Sequence, residues 1–198
     1  MDLKFVGPKP IISHTGITFD NNKEDKFDYL NIVVQFLKAL DHTYVEDKTY
    51  VYDTATKRLS QKELLSELKK YCPDVEALAN KRNHDIEEDI AEELKRARAN
   101  PHLSDQEKEI LENNISIMHN YLVQRSINKT VYYATLQSLV DMLKEHRIEY
   151  IVVPMYQKFV HVFHSLQGVL KHQKRSIDSK IEIYEQDGNL FAKLQILN

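Results

Sequence analysis

Residues 104–146 contain neither glycine nor proline, and this stretch constrains the fold more than any other feature of the sequence. Its apolar residues recur three and four positions apart in two sets: Leu111, Ile115, Met118 and Leu122, then Tyr132, Leu136, Leu139, Val140 and Leu143. This spacing predicts a long amphipathic helix. Because the apolar stripe changes direction between the two sets, we expect a bend near residues 125–129.

A second helical pattern precedes this stretch, over residues 74–100. The segment 100–103, which contains Pro101, separates the two. Ser104 with Glu107 then forms the capping-box pattern that typically opens a helix. Two helices with so short a connection are normally antiparallel neighbours. We therefore expect a long antiparallel helical hairpin that protrudes from the protein over residues 74–125.

Three other segments have helical signals. Residues 23–40 carry an apolar stripe, and Ser60 with Glu63 forms another capping box. Residues 154–171 predict a further helix with Pro154 at its first position. Proline is common there because the first N–H groups of a helix have no partner within it, so the missing N–H costs nothing.

Short β segments are expected at both ends of the sequence. Residues 11–19 predict an N-terminal β-hairpin, and residues 181–197 predict a C-terminal one around Asp187 and Gly188, since Asp-Gly between alternating runs is a strong turn signal. We expect these two hairpins to pair into one small sheet. Residues 49–52 and 150–153 also favour extended structure.

The fold class that follows is mainly α (α+β): a helical bundle with a long antiparallel helical hairpin, built as a single domain over residues 1–198. The hydrophobic fraction of 42% is enough for a core. Only 4 glycines and 5 prolines are present, which argues against a turn-rich sandwich or barrel.

Composition narrows the function classes. A net charge of -3 calls for neither nucleic acid nor an anionic membrane as partner, and no run of residues is long and apolar enough to span a membrane. Cys72 is the single cysteine, which fits a reducing cytoplasm. Because phosphate-loop and serine-hydrolase motifs are absent, we assign no catalytic residue, no metal ligand and no cofactor.

One polar surface is a candidate for binding a ligand or partner. His161, His164 and His172 fall on the side of helix 154–171 opposite its apolar residues, and Lys171 and Arg175 lie at its end. His161 and His172 would be about 16 Å apart along the axis, which is too far for both to bind one metal ion.

Three functional hypotheses follow. The first is a non-enzymatic protein-interaction or adaptor protein of the cytoplasm that binds a protein partner, most simply a second copy of itself as a homodimer. The second is a metal-dependent enzyme or metal sensor that uses histidines and carboxylates on the helices, such as His84, Glu88, Glu92, Glu112 and His119. The third is a nucleic-acid-associated factor that uses the basic segment 171–180.

Overall fold

A computed structural model describes residues 12–13, 16–17 and 24–197 of the chain, with side chains described at 28–117 and 129–197. The described part is mainly α with some β, as the sequence predicts. Its helices are α1 (Glu24–His42), α2 (Gln61–Tyr71), α3 (Val75–Ala99), α4 (Asp105–Glu145) and α5 (Gln157–Lys171). Its strands are β1 (Ile12–Ser13), β2 (Gly16–Ile17), β3 (Thr49–Val51), β4 (Tyr150–Pro154), β5 (Asp178–Gln186) and β6 (Asn189–Leu197).

The chain divides into two compact units. The first unit comprises Met1–Asn22 and Asp74–Val131, and the second comprises Lys23–Pro73 and Tyr132–Asn198. Helix α4 contributes residues to both. Two compact units can still unfold cooperatively, so the expectation of a single domain stays a prediction.

A four-stranded sheet organises the second unit. Its strand order is β3-β4-β6-β5; β3 runs parallel to β4, and the other neighbours are antiparallel. One face of the sheet packs against α1, α5 and residues 132–145 of α4. Fully buried side chains from all of these elements form its core, among them Phe36, Leu136, Ile151, Phe163 and Leu194.

In the first unit, α3 and the beginning of α4 share a small apolar cluster. Ile86, Ile90 and Leu94 of α3 are buried, and Ile115 of α4 packs against them. Nε of Arg98 donates a hydrogen bond to Oε1 of Glu112 at 2.8 Å. Helix α4 has no break at residues 125–129. A continuous helix can still bend, so the expected bend there stays a prediction.

Two expectations about the β elements were wrong. Pro154 is the last residue of β4, paired with Phe191, and α5 begins only at Gln157. Proline is tolerated at a strand end because fewer ladder hydrogen bonds are required there. The two terminal hairpins also do not share a sheet: β1 pairs with β2, whereas β6 pairs with β4. Strand β6 pairs instead with the five residues of β4, and local patterns in the sequence do not reveal this pairing.

The capping box of α2 provides a first prediction. The backbone N–H of Ser60 donates to Oε2 of Glu63 at 2.9 Å, and the Ser60 hydroxyl accepts from the Glu63 N–H at 3.2 Å. Ser60→Ala should lower the free energy of unfolding by about 1 kcal/mol. Urea denaturation at pH 7 measures this, with Ser66→Ala as the control, because Ser66 lies inside the same helix where alanine is well tolerated.

Removal of the Glu63 charge should become less harmful in acid. The Ser60 N–H, and then its hydroxyl, lower the pKa of the Glu63 carboxyl in the folded protein. A lowered folded pKa stabilises the protein above the usual carboxyl range, and that stabilisation is lost as the pH falls through the lowered pKa. Ser60→Ala keeps the backbone N–H, so Glu63→Gln is the variant that removes this contribution. The difference between native protein and Glu63→Gln should therefore shrink below about pH 4; an unchanged difference at that pH would contradict the capping geometry.

Candidate interaction surface

The histidines of the predicted polar surface are exposed, His161 and His164 on α5 and His172 at its C-cap. Their role as one binding surface stays a prediction. The His161 ring stacks on Tyr29 of α1, with ring centroids 4.1 Å apart and planes 16° apart. Tyr132 interacts electrostatically with the same tyrosine, and burial raises the pKa of the Tyr132 phenol to about 12. His161 is thus held in an aromatic contact and is nevertheless exposed, as is His164.

The basic end of the predicted surface lies at the other end of α5. His172 is the C-cap of the helix, and Lys171, His172 and Arg175 are all exposed. Gln173 fixes this turn on α4: it exchanges amide hydrogen bonds with Gln137, at 2.8 and 3.2 Å. These cations are therefore presented by an anchored turn.

Residues of the metal hypothesis form pairwise polar contacts. Nε2 of His84 lies 3.1 Å from Oε1 of Glu88 on the next helical turn, and Glu112 accepts the hydrogen bond from Arg98. The side chain of His119 lies outside the described residues. Among the side chains that are described, no three histidine, cysteine or carboxylate groups come close enough to hold a metal ion.

A surface that the sequence did not single out is the outer edge of β5. This nine-residue strand pairs with β6 along its whole length, from Asp178 opposite Leu197 to Gln186 opposite Asn189. No strand in the described part of the chain pairs with its other edge. A long open edge presents unpaired backbone groups that can accept a further strand.

The turn between β5 and β6 determines which backbone groups of β5 face outward. Asp187 and Gly188 both have positive φ, 51° and 80°, and connect the strands as a two-residue hairpin whose flanking pair is hydrogen-bonded. Backbone direction alternates along a strand, so Ser179, Ile181 and Ile183 point their N–H and C=O groups away from β6. The Ser179 carbonyl indeed accepts a hydrogen bond from Nε2 of Gln167 on α5, at 3.2 Å.

Side chains on the sheet face opposite the helices form an ordered polar and aromatic layer. The rings of Tyr184 and Phe191 stack with centroids 5.7 Å apart. Nζ of Lys193 lies 3.4 Å from Oε2 of Glu182 and sits over the rings of Tyr150 and Tyr184. Glu182 is thus paired with Lys193 of the neighbouring strand. Lys180 and Glu182 put charges of opposite sign at alternate positions of β5.

In the described part of the chain, no helix is both long enough and apolar enough to cross a membrane. Comparison with known proteins adds no relative to this picture: no family model matches the chain, and neither a curated protein nor a solved structure is significantly similar to it.

Proposed function

We propose that this chain is a non-enzymatic interaction protein of the cytoplasm that forms a homodimer by pairing β5 with β5 of a second copy. The open outer edge of this nine-residue strand is the observation that carries the proposal. The pairing would join two four-stranded sheets into one continuous sheet and would cover both edges at once. The single cysteine, Cys72, is consistent with a reducing compartment.

Charge complementarity selects the register. Two antiparallel copies of β5 related by a two-fold axis at Ile181 place Lys180 of each copy opposite Glu182 of the other. A two-fold axis one residue earlier would place Lys180 opposite itself, and one residue later would place Glu182 opposite itself. Opposite charges that face each other across strands stabilise pairing, and like charges destabilise it.

Backbone and apolar groups favour the same register. Ile181 points its N–H and C=O outward, so the two copies of this residue form a hydrogen-bonded pair at the axis. On the core side of the sheet, Ile181 meets its own copy and Ser179 lies opposite Ile183, whose N–H would share the Ser179 carbonyl with Nε2 of Gln167. The side chain of Ile183 is 51% exposed in the single chain, and pairing would cover part of it.

We also propose that residues 74–125 form an antiparallel helical hairpin, as part of a helical bundle, and that its acidic face docks a basic protein partner. The apolar cluster around Ile90 and the ion pair of Arg98 with Glu112 support the hairpin. Glu87, Glu88, Asp89 and Glu92 lie on exposed positions of α3 and support the docking face.

Two variants of β5, each with one charge reversed, test the homodimer when they are measured alone and mixed. Lys180→Glu puts glutamate opposite Glu182, and Glu182→Lys puts lysine opposite Lys180, so each variant should dimerise at least about tenfold more weakly than the native chain. An equimolar mixture of the two variants restores both opposite-charge pairs and should restore the dimer. Sedimentation velocity across a concentration series measures all three samples.

Glu185→Lys is the matched control, because this exposed glutamate of the same strand lies opposite Ile177 in the proposed register and its reversal should leave the dimer intact. A native chain that stays monomeric at millimolar concentration would overturn the proposal. So would a mixture of Lys180→Glu and Glu182→Lys chains that associates no better than either variant alone.

A further inference from the structure

A pocket of about 270 Å³ opens in the second unit, at the end of the sheet where β3 and β4 begin. Four segments that are distant in sequence meet there: the turn before β3, the end of α4, the end of α5 and the sheet strands. We call it the basic pocket. Its lining includes Lys48, Lys144, Arg147 and Glu149 among the polar side chains.

Three cations against one carboxylate leave the basic pocket positively charged. Nζ of Lys48 forms an ion pair with Oε1 of Glu149 at 3.0 Å, and Nζ of Lys144 donates to Oε1 of Gln173 at 3.1 Å. The guanidinium of Arg147 is exposed, and among the described residues it makes no ion pair or side-chain hydrogen bond. Its planar fork of donors suits a carboxylate or phosphate.

The rest of the pocket lining is apolar. Val140 and Leu143 of α4, Leu170 of α5 and Ile148 are buried residues of the core that border the pocket. A concave apolar surface with a few polar groups at its rim is the usual form of a small-molecule site. This combination favours a ligand with a charged head and an apolar body.

Arg147 occupies a backbone position that glycine would fill with less strain. Its φ is 54°, in the left-handed region where the Cβ of an L-residue is crowded. The N–H of Ile148 donates to the carbonyl of Leu143, and the N–H of Arg147 donates to that of Lys144. These two bonds form the Schellman motif that ends α4, and its left-handed position is normally glycine.

Lys48 repeats this pattern from another part of the chain. Asp47 and Lys48 have φ of 49° and 57° in a turn closed by a hydrogen bond from the Thr49 N–H to the Glu46 carbonyl. Two separate turns therefore place a cation where glycine fits best, and both cations line one pocket. Strained residues of this kind cluster at binding sites, where the side chain is needed in that place.

Further positive charge follows the pocket wall. Leu170 and Ile177 both line the basic pocket, and the turn between them carries Lys171, Lys174 and Arg175. These side chains are exposed, so they raise the local concentration of anions without filling the pocket.

We propose that the basic pocket binds a small organic anion, with its anionic group among Arg147, Lys144 and Lys48 and its compact apolar body against Ile177, which is half-buried at the pocket wall. This site is separate from the β5 edge and does not depend on dimerisation.

Ligand-observed NMR with four probes tests the chemistry. Phenyl phosphate and benzoate each combine an anionic group with an apolar ring and should bind the native chain. Phenol lacks the charge and inorganic phosphate lacks the ring, so each should bind at least about tenfold more weakly than phenyl phosphate. Absence of phenyl phosphate binding at about 10 mM, or equal binding of phenol, would overturn the proposal.

Glycine variants separate binding from folding. Arg147→Gly and Lys48→Gly each remove a cation and relieve a left-handed residue, so the melting temperature should rise by about 2–4 °C while phenyl phosphate affinity falls about tenfold or more. Asp187→Gly, at φ 51° in the β5–β6 turn, is the control that should gain stability and keep its affinity. If Arg147→Gly and Lys48→Gly bind phenyl phosphate as tightly as the native chain, the assignment of this pocket is wrong.

Discussion

Phe163→Ala is expected to lower the free energy of unfolding by about 3–5 kcal/mol, the range for a phenylalanine removed from a close-packed core. Phe163 is fully buried on α5 and belongs to the core cluster that joins α1, α4, α5 and the sheet. Truncation removes its apolar contacts and leaves a cavity that the surrounding rigid elements cannot fill. Equilibrium unfolding in guanidinium, followed by circular dichroism, measures the change.

Two companion variants make this measurement specific. Phe163→Leu keeps most of the side-chain volume and should lose less than half as much stability. Ile90→Ala removes a buried side chain of the first unit, and it decides whether residues 1–198 unfold as one domain. A single cooperative transition that both Ile90→Ala and Phe163→Ala shift supports one domain, whereas two transitions, each shifted by one variant, would contradict it. An unchanged stability of Phe163→Ala would contradict the core.

Asn31→Ala is expected to lower the free energy of unfolding by about 2–4 kcal/mol, because it leaves several buried polar groups without a partner. Asn31 is 1% exposed on α1. Its Nδ2 donates to the carbonyl of Leu59 at 2.8 Å, and its Oδ1 accepts from the Leu59 N–H at 3.1 Å and from Nε2 of Gln35 at 2.9 Å. One amide thus fixes the segment before α2 on the helix; chemical denaturation measures the loss.

The control for Asn31 lies further along the same network. The Tyr52 hydroxyl donates to Oε1 of Gln35 at 3.0 Å, and this tyrosine is only half-buried. Tyr52→Phe removes one hydrogen bond and should lower stability by about 1 kcal/mol. An Asn31→Ala loss no larger than that of Tyr52→Phe would show that the buried amide is not the centre of the network.

The elements that depend on local chemistry could be predicted from the sequence. The apolar spacing of Leu136, Leu139 and Leu143 predicts the face of α4 that is buried in the second unit. The serines at 60 and 104 predict where helices begin, and Asp187 with Gly188 predicts the turn between β5 and β6. In each case the decisive interactions lie within a few residues.

Interactions between distant residues could not be predicted in this way. Strand β3 pairs with β4 across about a hundred residues, with Tyr50 opposite Ile151. The spacing of apolar residues along the sequence does not indicate which strand pairs with which. Pro154 fits the first position of a helix as well as the end of a strand, so only the pairing with Phe191 decides.

The candidate sites were hidden for the same reason. An alternating strand such as β5 looks alike in the middle of a sheet and at its edge, and only the strand order exposes its outer side. Arg147 ends a helix without the glycine that usually marks such an end. The spacing of histidines on α5 did predict their exposed side, but the stacking of His161 on Tyr29 depends on where α1 packs.

The strand order also determines how late in synthesis the sheet can form. Strands β4 and β6 occupy the two central positions of the sheet, yet both are made after α1, β3, α2, α3 and α4. Before β4 has been synthesised, β3 has no strand to pair with. The apolar faces of α1 and α4 then have no sheet to pack against. We therefore expect the emerging chain to expose Phe36 and Leu136, which are buried in the folded protein, until β6 is complete.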